Sequence, residues 1–449
     1  MKTSTTSLGS NPALDKLKCG SALVLALSSL VYFSQPLYAQ ESPTKTDPFE
    51  QQTAQDLLKQ TPPLASQARN SIFKGSLFLS QEFNSINHAS RFADVAPPEM
   101  QSNSNFNSQL RINAKGKIAD REQARWLFKA YANSAKIAEG DTVYHGHARI
   151  DEAFIDWREG ANFLSVGKRR VNWGHARAFT AVNVIAPARD PLNPDFELEG
   201  QNMLWLSHHQ DDSFDFILTR GNQREISADR ISGDRARYGL RWSRTREQYD
   251  VALSYFDGGH YAEQAPFARM FGLSFSANLM PGLSAYGEWA QFQHRPTVFP
   301  ALKPYEAQRS QYRRQILGLL LDLGDKARVF VEIYHNGLGR DATERQQFWS
   351  DLDDARRGRG AMPTLDNFSL NRNYWLLAYK KEFLENFEFN GSLILAGDRS
   401  SILRAEQIYL ASDYWDLRAI YSRVSGSENS EFGNHLLNHQ IALQVRAHF

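Results

Sequence analysis

The sequence predicts an all-β protein: a transmembrane antiparallel up-and-down β-barrel of about 18 strands, with 16 as the alternative count. Apolar and polar side chains alternate with a period of two along many segments, as they do where successive residues face opposite sides of a sheet. These segments run to about 9–13 residues, enough to cross a bilayer at a tilt, whereas strands of soluble proteins usually have about 5–6 residues. Long and short connections alternate between them, which is typical of barrels with short turns on one side of the membrane and long loops on the other.

Composition excludes several other classes. The chain has 449 residues, with 51 Lys and Arg against 50 Asp and Glu; a net charge of +1 excludes a nucleic-acid binder that depends on bulk positive charge, and equally an acidic disordered tail protein. Aromatic residues make up 12%, too many for a disordered chain. Mean hydropathy is −0.50, and after Phe33 no apolar run reaches the roughly 18 residues of a spanning helix, so a helical membrane protein is excluded.

Residues 1–39 have the organisation of a secretory signal peptide. Lys16 and Lys18 form a basic flank, residues 21–33 are an apolar core, and the Leu-Tyr-Ala that ends at residue 39 resembles a cleavage site. The alternative is a buried core helix, which Pro36 and the polar stretch after residue 39 disfavour.

Cys19 is the only cysteine of the chain, so cleavage of the signal peptide leaves none. A disulfide, a zinc-thiolate site and a cysteine nucleophile are then excluded together. Residues 40–70 hold four prolines among Gln, Thr and Ser, and we interpret them as a periplasmic tail or linker. The barrel is predicted over residues 71–449.

The last strand shows the alternation most clearly. One face holds Leu437, His439, Ile441, Leu443, Val445, Ala447 and Phe449, and the other holds Asn438, Gln440, Ala442, Gln444, Arg446 and His448. An apolar face toward lipid and a polar face toward the interior is the pattern of a barrel strand. Similar alternation recurs near residues 106–115, 152–158, 235–243, 271–278, 328–336 and 415–422.

The connections fix the direction of each strand. With a periplasmic N-terminus the first strand runs outward, so the first connection must be long, and the gap near residues 85–103 is long. The short gaps, such as those near 159–161 and 210–212, are then periplasmic turns. The gap near 399–401 breaks the rule, because it should be external and is short.

Phe449 is the last residue, and it ends a strand of alternating apolar and polar residues. This end resembles the C-terminal assembly signal of Gram-negative outer-membrane β-barrels. The resemblance implies that the outer-membrane assembly machinery recognises Phe449. It also implies that the protein, after signal-peptide cleavage, lies in the outer membrane in contact with outer-membrane lipid and lipopolysaccharide.

A second resemblance lies within residues 166–191. Residues 166–174 are Val-Gly-Lys-Arg-Arg-Val-Asn-Trp-Gly, followed by Val-Asn-Val-Ile-Ala-Pro at 182–187 and Asp-Pro at 190–191. This stretch is similar to the Gly-Arg-Gln, Trp-Gly and Asn-Pro pattern of porin-like families that include alginate-export-type and capsule-assembly-type barrels. Lys-Arg-Arg stands at 168–170 where those families have Gly-Arg-Gln. The resemblance implies a large monomeric barrel.

Charged residues on the polar faces are candidates for lining the interior. They are Arg111, Lys115, Arg125, Glu152, Asp156, Arg158, Arg235, Arg237, Arg241, Glu332 and Arg446. Charges on opposite walls of a pore select solutes by charge and hydrogen bonding, and the alternative for each residue is an interior salt bridge that stiffens the barrel. Because Arg235, Arg237 and Arg241 share one face of one strand, they favour an anionic or sugar-acid solute.

The long loop over residues 174–200 is a candidate constriction. It contains Arg177, Asn183, Arg189 and Asp190, and it either folds into the pore or forms an external flap. The loop over residues 337–371 is longer and carries Arg-Arg-Gly-Arg-Gly at 356–360. We expect a solvated external loop there, with contact to lipopolysaccharide phosphates as the alternative.

Three function classes follow from this sequence. The first is an outer-membrane channel, of porin type, for small polar solutes. The second is an export conduit or surface anchor for an exopolysaccharide, and the third is an outer-membrane hydrolase. Because the chain has no G-x-S-x-G and no H-E-x-x-H motif, we predict no catalytic residue and no enzyme activity. We also predict no metal, no cofactor and no nucleic-acid partner; the expected ligand is a small polar solute or a polysaccharide.

Overall fold

The computed structural model describes residues 71–92, 103–118, 121–137, 144–185, 200–220, 236–258, 267–294, 311–324, 326–359 and 370–449. Its sheet has 18 strands. They are β1 (Ser71–Ile86), β2 (Ser104–Ile118), β3 (Arg121–Ile137), β4 (Tyr144–Glu159), β5 (Asn162–Arg169), β6 (Gln201–His209), β7 (Asp212–Arg220), β8 (Ala236–Thr245), β9 (Tyr249–Asp257), β10 (Phe267–Met280), β11 (Leu283–His294), β12 (Gln311–Asp322), β13 (Ala327–Asn336), β14 (Asn373–Leu384), β15 (Phe387–Ala396), β16 (Ser401–Ser412), β17 (Trp415–Ser425) and β18 (Leu437–His448).

Each strand pairs antiparallel with its neighbours in the chain, and β1 also pairs with β18, so the sheet closes on itself. The predicted closed barrel and its count of 18 strands are confirmed. Short turns such as residues 160–161 and 210–211 lie at the end of the barrel where β1 begins and β18 stops. The turn at 397–400 joins β15 to β16 at the opposite end, which is the short external connection that the sequence indicated.

The outer face of the barrel is apolar. Leu79, Leu253, Leu319 and Leu443 lie on it with exposed fractions of 40%, 51%, 47% and 51%. Water would make such a continuous exposed band unfavourable, whereas lipid accommodates it. The outer face is therefore the lipid-facing surface of a transmembrane barrel. No helix within the described ranges is long and apolar enough to span a membrane.

Four tryptophans mark one edge of this surface. Trp126 and Trp242 pair with the outward-facing Ile155 and Leu253, and Trp157 and Trp415 are themselves 36% and 50% exposed. All four lie in the half of their strands nearest the short turns, as the predicted strand directions require. Amphipathic rings favour this depth, at the level of the lipid headgroups.

β18 closes the barrel against β1, and its inward-facing residues are the ones that its alternation predicts. Gln444 and Arg446 face inward and are 3% and 1% exposed. The Phe449 backbone N–H donates to the Gly75 carbonyl at 3.0 Å, and the Gly75 N–H donates to the Phe449 carbonyl at 2.7 Å. A Cβ at position 75 would collide with the Phe449 ring, so glycine makes room for the terminal side chain beside β1.

An external helix, α1 (Ala342–Arg356), lies between β13 and β14, where the sequence predicted a solvated loop over residues 337–371. Asp341 caps its N-terminus by accepting a hydrogen bond from the Glu344 backbone N–H, and the Glu344 side chain accepts one from the Asp341 backbone N–H. This capping box is visible in the sequence and could have located the helix.

Arg91 joins three external connections. From the connection after β1, it donates to the Trp349 carbonyl of α1 at 3.2 Å and to Asp353 Oδ2 at 3.0 Å. Its second Nη donates to Asn429 Oδ1, in the connection between β17 and β18, at 2.6 Å. The external ends of distant strands are thus held together by one guanidinium.

Candidate functional site: the barrel interior

Residues 171–185, which we name the lumenal segment, follow β5 into the barrel interior. Trp173, Phe179 and Val182 are buried in one apolar cluster together with side chains of the barrel wall. The Phe179 ring stacks on Tyr334 of β13, with ring centroids 4.8 Å apart. Over its described part, the long loop after β5 therefore folds inward, the first of the two arrangements that the sequence left open.

The lumenal segment lies against strands β8 to β14, which we name the covered wall. Glycines make room for it there. A Cβ on Gly239 of β8 would lie 2.6 Å from the Trp173 ring, and a Cβ on Gly272 of β10 would lie 2.8 Å from Val182 Cγ1. Because real Cβ atoms do not approach so closely, the two glycines fix where the segment can seat.

Two carboxylates of the covered wall accept hydrogen bonds from the backbone of the segment. Glu332 of β13 accepts from the N–H groups of Arg177, Ala178 and Phe179, the last at 3.0 Å. The Tyr286 hydroxyl donates to the same carboxylate at 2.9 Å.

Glu288 of β11 accepts from the N–H groups of Ala176, Ala181 and Val182 at 2.8, 2.7 and 3.1 Å. Sequence reasoning assigned no role to Glu288. The sequence nevertheless contains a signal for such a role. Glu288 shares the inward face of its strand with the apolar or aromatic Tyr286, Ala290 and Phe292. A lone acid in such a row needs a partner.

Strands β16 to β18 and β1 to β4 form a second part of the interior, which we name the charged wall. Asp416 accepts from Arg418 Nε at 2.9 Å and lies 2.9 Å from His448 Nε2. Glu406 lies 3.2 Å from Arg418 Nη1 and 3.5 Å from Arg404 Nη2. Asp416, Arg418, Glu406 and Arg404 therefore follow one another as a chain of acidic and basic side chains along one side of the interior.

Two arginines of the charged wall lie on either side of one ring. Phe78 of β1 pairs with Arg446 of β18 on one side and with Gln109 of β2 on the other. The guanidinium of Arg446 lies 4.3 Å from the Phe78 ring centroid, and that of Arg111 lies 5.0 Å from it.

These guanidinium groups are short of partners. All three side-chain nitrogens of Arg446, two of those of Arg111, and both amide atoms of Gln109 are buried without a hydrogen-bond partner among the described residues. Asp416 Oδ2 lies 3.6 Å from Arg446 Nε, too far for a strong hydrogen bond. Buried guanidinium donors without acceptors are costly, so this position is suited to an anionic group.

The predicted lining residues of β4 are ion-paired. Asp156 accepts from Arg125 Nε at 2.9 Å and also pairs with Arg169 of β5. Glu152 pairs with Arg170 Nη2 at 3.0 Å. Both acids are buried, and they form the interior salt bridges that the sequence allowed as the alternative for each residue.

The arginines of β8 face the interior where the structure describes them. Arg241 is 8% exposed and lies 3.5 Å from Asp215 of β7, and Arg237 is half-buried. Their neighbour Tyr238 faces outward and is 40% exposed, as the alternation predicts. Because Asp215 offsets the charge of Arg241, the charge of this group is smaller than the sequence suggested.

The remaining candidates lie in three places. Lys115 and Arg158 are exposed near the short-turn end, on the inward faces of β2 and β4. Arg177 and Asn183 lie in the lumenal segment, where Asn183 Nδ2 donates to Asn172 Oδ1 at 3.0 Å. Arg189, Asp190 and Arg235 lie outside the described residues, as do the signal peptide and residues 40–70.

One serine–histidine contact bears on the hydrolase alternative. Ser207 Oγ lies 2.8 Å from His209 Nε2, and His209 Nδ1 lies 2.9 Å from Ser213 Oγ. The Ser207 hydroxyl donates its proton to Asp215 rather than to the imidazole. An activated serine needs the base to accept that proton and the acid to orient the far side of the imidazole, so this contact does not form a catalytic relay. Within the described ranges no group of three or more His, Cys, Asp or Glu could hold a metal ion.

Comparison with known proteins agrees with this architecture. No protein-family model matches the chain, and no curated protein matches it. Among solved structures, it is similar to Acinetobacter baumannii OccAB3, with 11% identity, a TM-score of 0.50, and coverage of 85% of this chain and 99% of that one. It is also similar to a double mutant of the Rhodopseudomonas blastica porin, with 11% identity, a TM-score of 0.44, and coverage of 84% and 100%.

At this identity the likeness to OccAB3 concerns the fold. Together with the closed strand order and the apolar outer face, it shows that the chain has the fold of a porin-type transmembrane β-barrel.

Proposed function

We propose that this protein is an outer-membrane channel for small polar solutes, with a preference for anions such as sugar acids. The observation that carries the proposal is the pair Arg111 and Arg446, whose guanidinium groups lie beside Phe78 with donors that no described residue satisfies. A carboxylate or phosphate reaching this position would complete those hydrogen bonds. Nearby cations also raise the local concentration of anions.

The division of the interior supports the same function. The lumenal segment occupies the side of the covered wall, so a solute passes along the charged wall. Charged and hydrogen-bonding groups on one wall with a narrowing element opposite are the features that select small solutes in a pore. Arg177 and Asn183 are the constriction residues on the segment side.

Reversal potentials across planar bilayers test this proposal. Under a salt gradient the wild-type channel is expected to prefer anions, and the double variant Arg111→Gln with Arg446→Gln is expected to shift the reversal potential toward cations. Arg423→Gln is the matched control, because Arg423 is exposed on the outer face of β17 and should leave selectivity unchanged.

Two results would overturn the proposal in different ways. A folded double variant with wild-type selectivity would show that the two arginines are structural. Wild-type protein that does not conduct at all would remove the channel itself and move the export and hydrolase alternatives ahead.

We also propose that Phe449 is the assembly signal of this barrel. Its backbone pairs with Gly75, and its ring is exposed at the membrane edge, where the last strand meets the first. Deleting Phe449 should lower the amount of heat-modifiable barrel in the outer membrane, since an unclosed edge leaves backbone groups unpaired in lipid. An unchanged level would contradict this role.

A further inference from the structure

The lumenal segment enters the barrel without joining the sheet. A backbone in such a position must find acceptors for its N–H groups outside any strand ladder, because unpaired buried amides are costly. Those of residues 176–179 and 181–182 find two glutamates of the wall. The position of the segment is therefore decided by side chains of β11 and β13.

The two glutamates hold different parts of the segment. Glu332 gathers three consecutive N–H groups, which is the way a backbone concavity binds an anion. Glu288 joins Ala176 to Ala181 and Val182, so it bridges the two ends of the bend. A Cβ on Gly174 would collide with Glu288 Oε1, so the chain passes directly over this carboxylate.

Among the residues that the structure describes, neither carboxylate has a cation as its partner. Glu288 is 3% exposed and Glu332 is fully buried, and neither forms an ion pair within the described residues. The backbone N–H groups of the segment therefore provide the compensation that a buried anion requires. If the segment left its seat, both carboxylates would face the passage as uncompensated negative charges.

We infer that Glu288 and Glu332 are positioning residues that clamp the lumenal segment and so set both the width and the charge of the passage. This inference rests on the proposed channel for its consequence, but the clamp itself can be tested without conductance. The segment is held in place because its backbone N–H groups form two anion sites, which the carboxylates of Glu288 and Glu332 occupy.

The test uses a single thiol in the mature chain, which has no cysteine after residue 19. Thr180→Cys places the thiol in the segment at a half-buried position, so its rate of modification by a water-soluble reagent rises when the segment leaves its seat. In the background of Thr180→Cys, the change Glu332→Ala should speed modification about tenfold or more, because several charge-assisted hydrogen bonds are lost together.

Chemical rescue distinguishes a clamp from general packing. Formate added to the Glu332→Ala variant supplies a small carboxylate to the vacated N–H groups, and it should slow modification again, while chloride at equal ionic strength should do so less. Glu332→Gln keeps the shape but replaces one acceptor oxygen by a donor, so it should be faster than wild type and insensitive to formate.

Glu82→Gln is the matched control. Glu82 is a lumenal glutamate of β1 on the charged wall, 1% exposed and bonded to Asn107 of β2, so its change should not alter the modification rate. Heat-modifiable mobility verifies that each barrel has folded, and Glu288→Gln serves in place of any Glu332 variant that fails to fold. If folded glutamate variants react as slowly as Thr180→Cys alone, the apolar cluster holds the segment and the clamp is overturned. If the clamp is confirmed and wild type does not conduct, only the channel proposal falls.

Discussion

The covered wall and the charged wall use buried carboxylates in different ways. On the covered wall, Glu288 and Glu332 are neutralised by backbone amides of the lumenal segment. On the charged wall, Glu406 and Asp416 are neutralised by arginines of neighbouring strands. A backbone partner fixes the position of a segment, whereas a side-chain partner links neighbouring strands of the wall. Buried carboxylates thus hold the lumenal segment on one wall and link arginines of neighbouring strands on the other.

Aromatic rings show a parallel difference. Tyr334 stacks on both Phe179 and Tyr374 at the covered wall, with ring centroids 4.8 and 6.0 Å apart. Phe78 on the charged wall instead has a guanidinium on each side. Ring stacking buries apolar area and holds the segment, whereas cation–π contact places two buried guanidinium groups against one ring.

Removing the segment should give the largest effect. Replacing residues 174–182 by a short Gly-Ser linker takes away the bulk beside the charged wall, so single-channel conductance should rise severalfold while the barrel still assembles. Planar-bilayer recordings measure the conductance, and heat-modifiable mobility verifies that the barrel has assembled. An unchanged conductance would mean that the segment does not narrow the passage, and the distinction between the two walls would lose its functional meaning.

Asp416→Asn tests the charged wall directly. The change removes the acid that Arg418, His448 and Arg446 share, and it leaves Arg418 with Glu406 as its remaining carboxylate partner. Breaking a buried pair typically costs about 3–5 kcal/mol, so the free energy of unfolding should fall by an amount of that order. Anion preference should rise in the folded fraction. Denaturant unfolding in lipid vesicles and reversal potentials measure the two effects, and a fall in anion preference would contradict the account.

Gly239→Val tests the seat of the segment. The new side chain would overlap the Trp173 ring, and overpacking typically costs about 1–3 kcal/mol. We expect a lower unfolding free energy and faster modification of a thiol at position 180. Ala236→Val on the same strand is the control, because Ala236 is exposed on the outer face. Equal effects of the two variants would show that Trp173 has room to move.

The smallest expected effect is a change in the pH dependence of stability. It concerns the connection between β17 and β18, at the external end of the barrel. Glu431 accepts from Tyr374 Oη at 2.7 Å and from Asn371 Nδ2 at 2.8 Å, and the same Nδ2 donates to Asp398 at 2.9 Å. Burial, aided by the charge of Asp398, raises the pKa of Glu431 to about 7. His435 in the same connection has a pKa lowered to about 4 by burial, so it stays neutral at higher pH.

The sign of the pH dependence follows from the raised pKa. Between the ordinary pKa of 4.5 and the folded value of about 7, the folded protein holds a proton on Glu431 that the unfolded chain has released. Stability is therefore lost as pH rises through this window. His435 has the opposite sign, because its lowered pKa makes stability rise with pH between about 4 and its ordinary pKa of 6.5. From pH 5 to pH 8 the free energy of unfolding should therefore rise more, or fall less, in Glu431→Gln than in wild type. A wild-type slope that persists in the variant would assign the effect to another group.

The strands were predictable because each one carries its own signal. Alternation along β18 specifies which side chains face lipid, and a one-residue slip would place Arg446 in lipid, at about 2–4 kcal/mol. The order of long and short connections fixed strand direction and count for the same reason: each is a property of contiguous residues. Helix α1 also left a local signal, in the Asp341 and Glu344 capping box.

The sequence by itself determined the closed barrel, the inward faces of its strands and the presence of charge inside. Tertiary structure alone decided which charges pair, because Glu288 and Glu332 lie more than 100 residues along the chain from the amides that they bind. It also decided that Asp215 partly offsets Arg241, while Arg111 and Arg446 have donors without an acceptor among the described residues. Periodicity specifies the side of the sheet that a residue faces, but its neighbours across the interior depend on how the whole sheet closes.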